Sequence, residues 1–275
     1  MRQRILITGA TGFVGKQVIK ALQLKKADIT IIVRPGWKEK IQNIEGIIKI
    51  VETDDLFSES AKWWELKCKN IDTIIHVAWY AIPGKYLTSD INFDCLLGTL
   101  NLARGAAAAG IKKFVGIGTC FEYDLKDGML SVSTPLKPLT PYAATKTAAY
   151  LTLSQFLISK NIEFAWCRLF YLHGEDERGG RLVSYIRNQL ENNQVVKLTS
   201  GNQIRDYMDV SEVGKIIAEI AFSSDEGCIN VCSGIPITVR KLAEQVADEY
   251  GKRDLLEFGA RPDNLVDPPC IVGVK

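Results

Sequence analysis

The chain has 275 residues, 47% hydrophobic and 24% charged, with a net charge of +2. This is ordinary globular composition, long enough to bury a large core without disulfide or metal staples. Lysines and arginines are scattered among the acids with no basic run, so neither nucleic acid nor an anionic membrane surface is indicated as a partner.

The opening MRQRILITGA is positively charged and then briefly apolar, and it breaks into a glycine turn too soon for a signal peptide. No stretch approaches the roughly 18 apolar residues of a spanning helix. These features predict a soluble, cytoplasmic protein. The seven cysteines are widely spread, with Cys95, Cys167 and Cys228 in apolar segments, which reads as reduced core thiols. With His76 and His173 as the two histidines, and Cys228 and Cys232 not spaced as a zinc knuckle, no metal site is expected.

Strands are predicted at Ile5–Thr8, Ile29–Val33, Ile47–Val51, Thr73–Val77, Phe114–Ile117 and Glu163–Leu169. Helical stretches between them run over about 13–24, 58–68, 90–109 and 141–159. Several strands are apolar without alternation, as buried parallel strands are. Repeated βα units of this kind predict an α/β fold, a Rossmann-type doubly wound parallel sheet. Residues 1–165 are expected to form the dinucleotide domain. Residues 166–275 are expected to form mainly a smaller α/β substrate lobe, with the chain crossing between the two. There, helices are predicted from Gly180 to Asn192 and over 211–222 and 238–250, with short strands near Val195–Leu198 and Tyr207–Asp209. The proline-rich tail Arg261–Lys275 reads as loop or as the end of a truncated chain.

The first strand runs into Gly9-Ala10-Thr11-Gly12-Phe13-Val14-Gly15 and then into an amphipathic run. A strand, a glycine turn and a helix start converge free N–H groups and the positive helix end on one point, which suits a pyrophosphate. Gly9 permits the turn, Gly12 lets the backbone approach the phosphates, and Gly15 lets helix and strand pack closely.

An acid normally follows about 20 residues later to bind the ribose 2′-hydroxyl. Here the second strand ends Val33-Arg34-Pro35. Arg34, assisted by Lys38, is suited to a 2′-phosphate, so NADP(H) is preferred and NAD(H) left possible. Asp54-Asp55-Leu56 follows the third strand, where a carboxylate either accepts from an adenine amine or caps the next helix.

Thr140-Pro141-Tyr142-Ala143-Ala144-Thr145-Lys146 opens a helix, with proline well placed in its first turn. Tyr142 and Lys146, four apart, share a face. A nearby ammonium favours the ionised phenol and lowers its pKa from about 10, so the tyrosine exchanges a proton with an alcohol or ketone. Thr119 ends the strand that begins at Phe114, at the carboxyl edge where ligands bind in such sheets.

Taken together, these residues resemble the extended short-chain dehydrogenase/reductase family, in its nucleotide-sugar epimerase, dehydratase and reductase branch. The loop Thr8–Gly15, the strand Asp72–Ala78, Asn92 with Gly98-Thr99-Leu100-Asn101-Leu102, Thr119 four before Tyr123, the Tyr142–Lys146 pair, Arg205–Val210 and Asn230-Val231-Cys232-Ser233-Gly234 all match its motifs in order. The resemblance implies catalysis by Thr119, Tyr142 and Lys146, a sugar-nucleotide substrate and a homodimer. It adds Val77, Ala78, Trp79 and Asn92 to the cofactor contacts. Substrate contacts are expected from Trp79, Tyr80, Cys120 and Phe121, and from Glu122, Tyr171, Arg181 and Arg205. Arg205 reads as either a diphosphate anchor or half of an Arg–Asp pair.

Dehydratases of this family place Asp-Glu directly after the catalytic threonine. Cys120-Phe121 stands there instead, so dehydration is disfavoured. Three readings remain: an NAD(P)H-dependent reductase of a nucleotide-activated 4-keto-6-deoxysugar, preferred on Arg34; an NAD-retaining epimerase; and a non-catalytic dinucleotide sensor, against which the intact trio argues. Cys120 reads as a packed thiol and His173 as a pocket or core residue rather than a base.

Overall fold

A computed structural model describes residues 2–41, 44–177, 179–264 and 267–275, with Glu39 and Lys40 described as backbone. The first seven strands are β1 (Arg4–Thr8), β2 (Asp28–Val33), β3 (Ile47–Glu52), β4 (Thr73–His76), β5 (Lys113–Thr119), β6 (Met129–Leu130) and β7 (Glu163–Leu169). The later ones are β8 (Tyr171–His173), β9 (Val196–Lys197), β10 (Ile204–Asp209), β11 (Gly227–Val231), β12 (Pro236–Thr238), β13 (Leu256–Glu257) and β14 (Cys270–Gly273). The helices are α1 (Phe13–Leu24), α2 (Lys38–Ile41), α3 (Ala61–Lys67), α4 (Ile91–Ala109), α5 (Pro141–Ile158), α6 (Leu182–Glu191), α7 (Val210–Phe222) and α8 (Val239–Tyr250).

The large sheet has the order β11-β7-β5-β4-β1-β2-β3, and every pairing in it is parallel. This is the doubly wound Rossmann-type sheet that the repeated βα units predict. Its apolar strands feed two cores at once. Ile5, Ile7, Val115, Ile117, Ala165 and Cys167 face one side, with α1 and α7. The intervening Leu6, Phe114, Phe164 and Trp166 face the other, with Trp64 of α3, Leu102 of α4 and Leu153 of α5. Side chains alternate across a strand, so burial on both faces removes the polar alternation.

Strand order reverses between β1 and β4, the switch point beside which ligands bind in open sheets. A hydrogen-bond relay ties the two strands there. Thr8 Oγ1 accepts the Ala78 N–H at 3.3 Å and shares a 2.8 Å bond with His76 Nδ1, whose Nε2 meets Thr99 Oγ1 at 2.8 Å. Burial pulls His76 down to about 3, so it is a neutral core residue.

Beyond β7 the chain builds a second, five-stranded sheet, β12-β10-β14-β6 with β8 beside β10. A small core under α6 and α8 holds Val183, Ile186, Leu190, Leu242 and Val246. The chain then returns through α7 and β11 to the large sheet. Two expectations need correction. The third helix starts at Ala61, not 58, because Ser60 Oγ accepts the Trp63 N–H at 3.2 Å and caps it. The tail is not all loop: Cys270–Gly273 pairs in parallel with both β10 and β6. Leu265 and Val266 of that tail lie outside the described residues.

Candidate active site

Gly9 has φ +72, and a Cβ there would sit 2.6 Å from the Ala78 nitrogen. A Cβ on Gly15 would sit 2.1 Å from the Gly9 carbonyl oxygen. The loop therefore closes against both β4 and its own helix as far as backbone allows. Gly12 caps α1 with no side-chain acceptor, and the first turn carries no acid. Its N–H groups and the positive helix end face a space that no carboxylate of that turn fills, which fits a diphosphate. Thr11, Phe13 and Val14 are half-buried around the loop. The Arg181 guanidinium, at the start of α6, lies 5.1 Å from the Phe13 ring centre, bringing the smaller lobe to the cofactor loop.

Val77 is half-buried and Ala78 buried where β4 leaves the sheet. Arg34 is exposed just past β2, and Lys38 is exposed at the start of α2. Asp54 and Asp55 are exposed after β3. Asp55 closes its own turn by accepting the Phe57 N–H at 3.0 Å, leaving the helix cap to Ser60. Leu56 packs on the core beneath α3 and α4.

Thr119 is the buried last residue of β5. Thr140 Oγ1 accepts the Ala143 N–H at 3.2 Å and starts α5 with Pro141 in its first turn, which fixes Tyr142 and Lys146. The Tyr142 N–H donates to the Leu87 carbonyl at 3.1 Å, and its ring meets Tyr86 edge-on at 4.7 Å. The Thr119 side chain acts on the Tyr142 phenol, holding it lower than burial alone would. Thr119 and Tyr142 thus come together, whereas Lys146, one turn further along α5, points to the Ile117 carbonyl.

Their electrostatics differ from the expectation. The spacing predicts an ammonium that acidifies the phenol. Burial, followed by Tyr86 and Glu122, instead raises Tyr142 above the ordinary phenol range, against a smaller lowering by Thr119. The Lys146 ammonium is directed elsewhere. It donates to the Ile117 carbonyl at 2.7 Å and lies 3.7 Å from the centre of the Trp79 ring. At 3% exposure, burial pulls Lys146 down to about 7.

Glu122 is not a substrate contact. Its fully buried carboxylate accepts the Thr119 N–H at 2.8 Å, the Trp166 indole N–H at 3.0 Å and Arg168 Nε at 2.8 Å. Sequence reasoning missed this network, yet a signal existed in Gly116 and Gly118 on β5. A Cβ at Gly118 would fall 2.2 Å from the Trp166 indole nitrogen. Glycine within a strand marks such a close approach.

Asn92 is likewise not placed as a cofactor contact. It is fully buried, its amide donates to the Tyr86 and Ser89 carbonyls at 2.6 and 2.8 Å, and its Oδ1 accepts the Trp79 indole N–H at 2.9 Å.

Cys120 is buried, and burial pushes its thiol up to about 12. It belongs to a small core with Phe170, Cys232 and Ile271, against which Phe121 and Tyr171 also pack. Phe121 meets Tyr171 edge-on at 6.2 Å, and the Arg205 guanidinium stands 5.4 Å from the Tyr171 ring. Arg205 is the ion-pair alternative: buried, it donates to Asp267 Oδ2 at 2.6 Å and to the Ile204 carbonyl. Tyr80 is half-buried beside Trp79. His173 is half-buried, and burial lowers its imidazole. Among the described residues, no group of three or more His, Cys, Asp or Glu could hold a metal ion, and no helix is long and apolar enough to cross a membrane.

Residues 5–232 match the model of the NAD dependent epimerase/dehydratase family. The dTDP-6-deoxy-L-talose 4-dehydrogenase (NAD(+)) of Aggregatibacter actinomycetemcomitans is 24% identical over 98% of this chain and 99% of its own. The GDP-6-deoxy-D-mannose reductase of Pseudomonas aeruginosa is 27% identical over 90% of this chain and 80% of its own. The UDP-glucose 4-epimerase of Thermus thermophilus, solved with NAD, superposes with a TM-score of 0.82 at 23% identity, covering 99% of this chain and 90% of that one.

Proposed function

This chain belongs to the NAD dependent epimerase/dehydratase family, and within it we propose a reductase that converts the 4-keto group of a nucleotide-activated 6-deoxysugar to an alcohol, with NADP(H) preferred over NAD(H). One arrangement carries the reading: Thr119, buried at the end of β5, acts on a Tyr142 phenol in the first turn of α5 that burial keeps protonated, with Lys146 one helical turn further on. A protonated phenol is the form needed to quench an alkoxide. The residues that dehydration would use directly after Thr119 are a buried thiol and an aromatic ring, Cys120 and Phe121. Two relatives support the choice by name, a 4-dehydrogenase of a 6-deoxysugar nucleotide and a reductase of another.

The Gly9–Gly15 loop and the open start of α1 would hold the diphosphate of the dinucleotide, with Lys146 toward its nicotinamide ribose and Arg34 toward a 2′-phosphate. When bound and reduced, that cofactor supplies the hydride for the ketone carbon. Thr119 donates to the ketone oxygen and polarises it. Tyr142 transfers its phenolic proton to the same oxygen as the carbon is reduced, and the Thr119 side chain eases the phenolate that remains. Glu122 stays out of the exchange and fixes the peptide from which Thr119 projects.

The test is consumption of NADPH and NADH by the purified chain with dTDP-, GDP- and CDP-linked 4-keto-6-deoxysugars, followed by the absorbance of the reduced cofactor. Stoichiometric oxidation with formation of the 4-hydroxy sugar is expected. Protein that copurifies with NAD⁺, oxidises neither reduced cofactor and interconverts 4-hydroxy epimers would overturn the reading in favour of a 4-epimerase.

A further inference from the structure

The residue that follows β4 and Ala78 is large here. Trp79 sends its ring over the Lys146 ammonium, 3.7 Å from Nζ to the ring centre, with the Trp166 ring at 5.8 Å. The ammonium is almost fully enclosed, and among the described residues it donates to the Ile117 carbonyl. A desolvated cation over an indole face is held more strongly than one in water. The ring is itself fixed: its N–H donates to Oδ1 of the fully buried Asn92.

The same Asn92 amide holds the carbonyls of Tyr86 and Ser89. That segment returns to the catalytic tyrosine twice. The Tyr86 ring meets the Tyr142 ring edge-on, and the Leu87 carbonyl accepts the Tyr142 N–H. One buried amide therefore sets both the aromatic face under the lysine and the loop against the tyrosine.

We infer that Trp79, keyed by Asn92, is a positioning residue that holds the Lys146 ammonium beside the nicotinamide ribose site. The face of the indole fixes where the charge sits, and its volume excludes water from it. The task assigned to Lys146 rests on the oxidoreductase reading above, whereas the packing can be tested without any sugar.

The experiment compares full-length wild type with Trp79→Phe, which keeps a π face, and Trp79→Leu, which keeps apolar bulk and loses it. Each is treated with acetic anhydride, and acetylation of Lys146 is read by peptide mass against the exposed Lys112. Binding of NADH is titrated by fluorescence on the same samples. Trp79→Leu is expected to acetylate Lys146 about ten-fold faster than wild type and to bind NADH about ten-fold more weakly, with Trp79→Phe close to wild type. Asn92→Ala, which frees the indole, is expected to fall between, and it carries the same expectation should Trp79→Leu fail to fold. With a sugar ketone that is turned over, Trp79→Leu lowers kcat. Equal acetylation and equal NADH affinity in Trp79→Leu and wild type would overturn the inference while leaving turnover intact. Absence of turnover in wild type would instead count against the reductase and leave the labelling result standing.

Discussion

The Glu122 carboxylate and the Arg168 guanidinium meet at 2.8 Å with 0% and 1% of their side chains exposed. They lie directly behind the strand end that carries Thr119. Breaking such a pair from one side strands the other charge, at a cost of about 3–5 kcal/mol. Glu122→Gln keeps the shape and a carbonyl for the Thr119 N–H, yet leaves Arg168 without its counter-charge. It is expected to lower unfolding free energy by that order in denaturant titrations. Arg168→Met should also destabilise, and the double variant by less than the sum of the two. Simple additivity in that cycle would show that the two groups do not act as a pair.

The proposed catalytic residues give a second prediction, one that separates chemistry from binding. Tyr142→Phe removes the proton donor and leaves the ring against Tyr86. Turnover is expected to fall by about a hundred- to ten-thousand-fold while the NADPH dissociation constant stays near wild type. Thr119→Val removes the hydroxyl that polarises the ketone, with a loss of about a hundred-fold or more in kcat. Near-normal turnover in Tyr142→Phe would remove the phenol from the mechanism.

What was legible in the sequence was what is contiguous along it. The strand, glycine turn and helix from Arg4 to Leu24 follow one another, so a local pattern reveals the phosphate loop. Thr140, Pro141, Tyr142 and Lys146 sit within two helical turns, so spacing alone places the pair on one face. The partners of that pair were not legible. Trp79 meets Asn92 thirteen residues later, and Glu122 meets Trp166 and Arg168 across two strands. Each contact depends on sheet order and on an unbroken chain of neighbours, for which periodicity carries no mark. The same limit hid the strand Cys270–Gly273, whose hydrogen-bond partners β10 and β6 lie far back in the chain. The Tyr142–Lys146 spacing puts both residues on one helix, and it says nothing of where the charge is aimed. Spacing does not show that the ammonium points at a carbonyl and an indole.

Arg34 carries the cofactor preference proposed above. It is exposed at the end of β2, where an acid would serve a ribose hydroxyl. Arg34→Asp is expected to raise KM for NADPH by about ten-fold or more, through loss of a charge-assisted contact and gain of repulsion, and to leave or lower that for NADH. Steady-state kinetics with both cofactors checks it. An unchanged ratio of the two kcat/KM values would show that Arg34 does not read the phosphate.

Lys146 makes stability depend on pH, and the sign follows from the direction of its shift. Burial holds the folded-state value at about 7, below the roughly 10.4 of an unfolded lysine. Below pH 7 both states carry the proton, and the folded state bears the full cost of enclosing an ammonium. Between those two values the unfolded chain binds more protons, so this contribution makes stability rise with pH by at most about 1.4 kcal/mol per pH unit. Lys146→Met keeps most of the stem and has nothing to titrate. Tyr142 and Cys120 are common to both proteins and drop out of the difference, and His76, which Lys146 also lowers, is held neutral well below this range. The variant is therefore expected to gain most over wild type below pH 7 and progressively less toward pH 9, measured by denaturant unfolding in the absence of cofactor. A difference that stays flat across that range would mean that Lys146 titrates alike in the folded and unfolded chain, and that the enclosure by Ile117, Trp79 and Trp166 does not desolvate it.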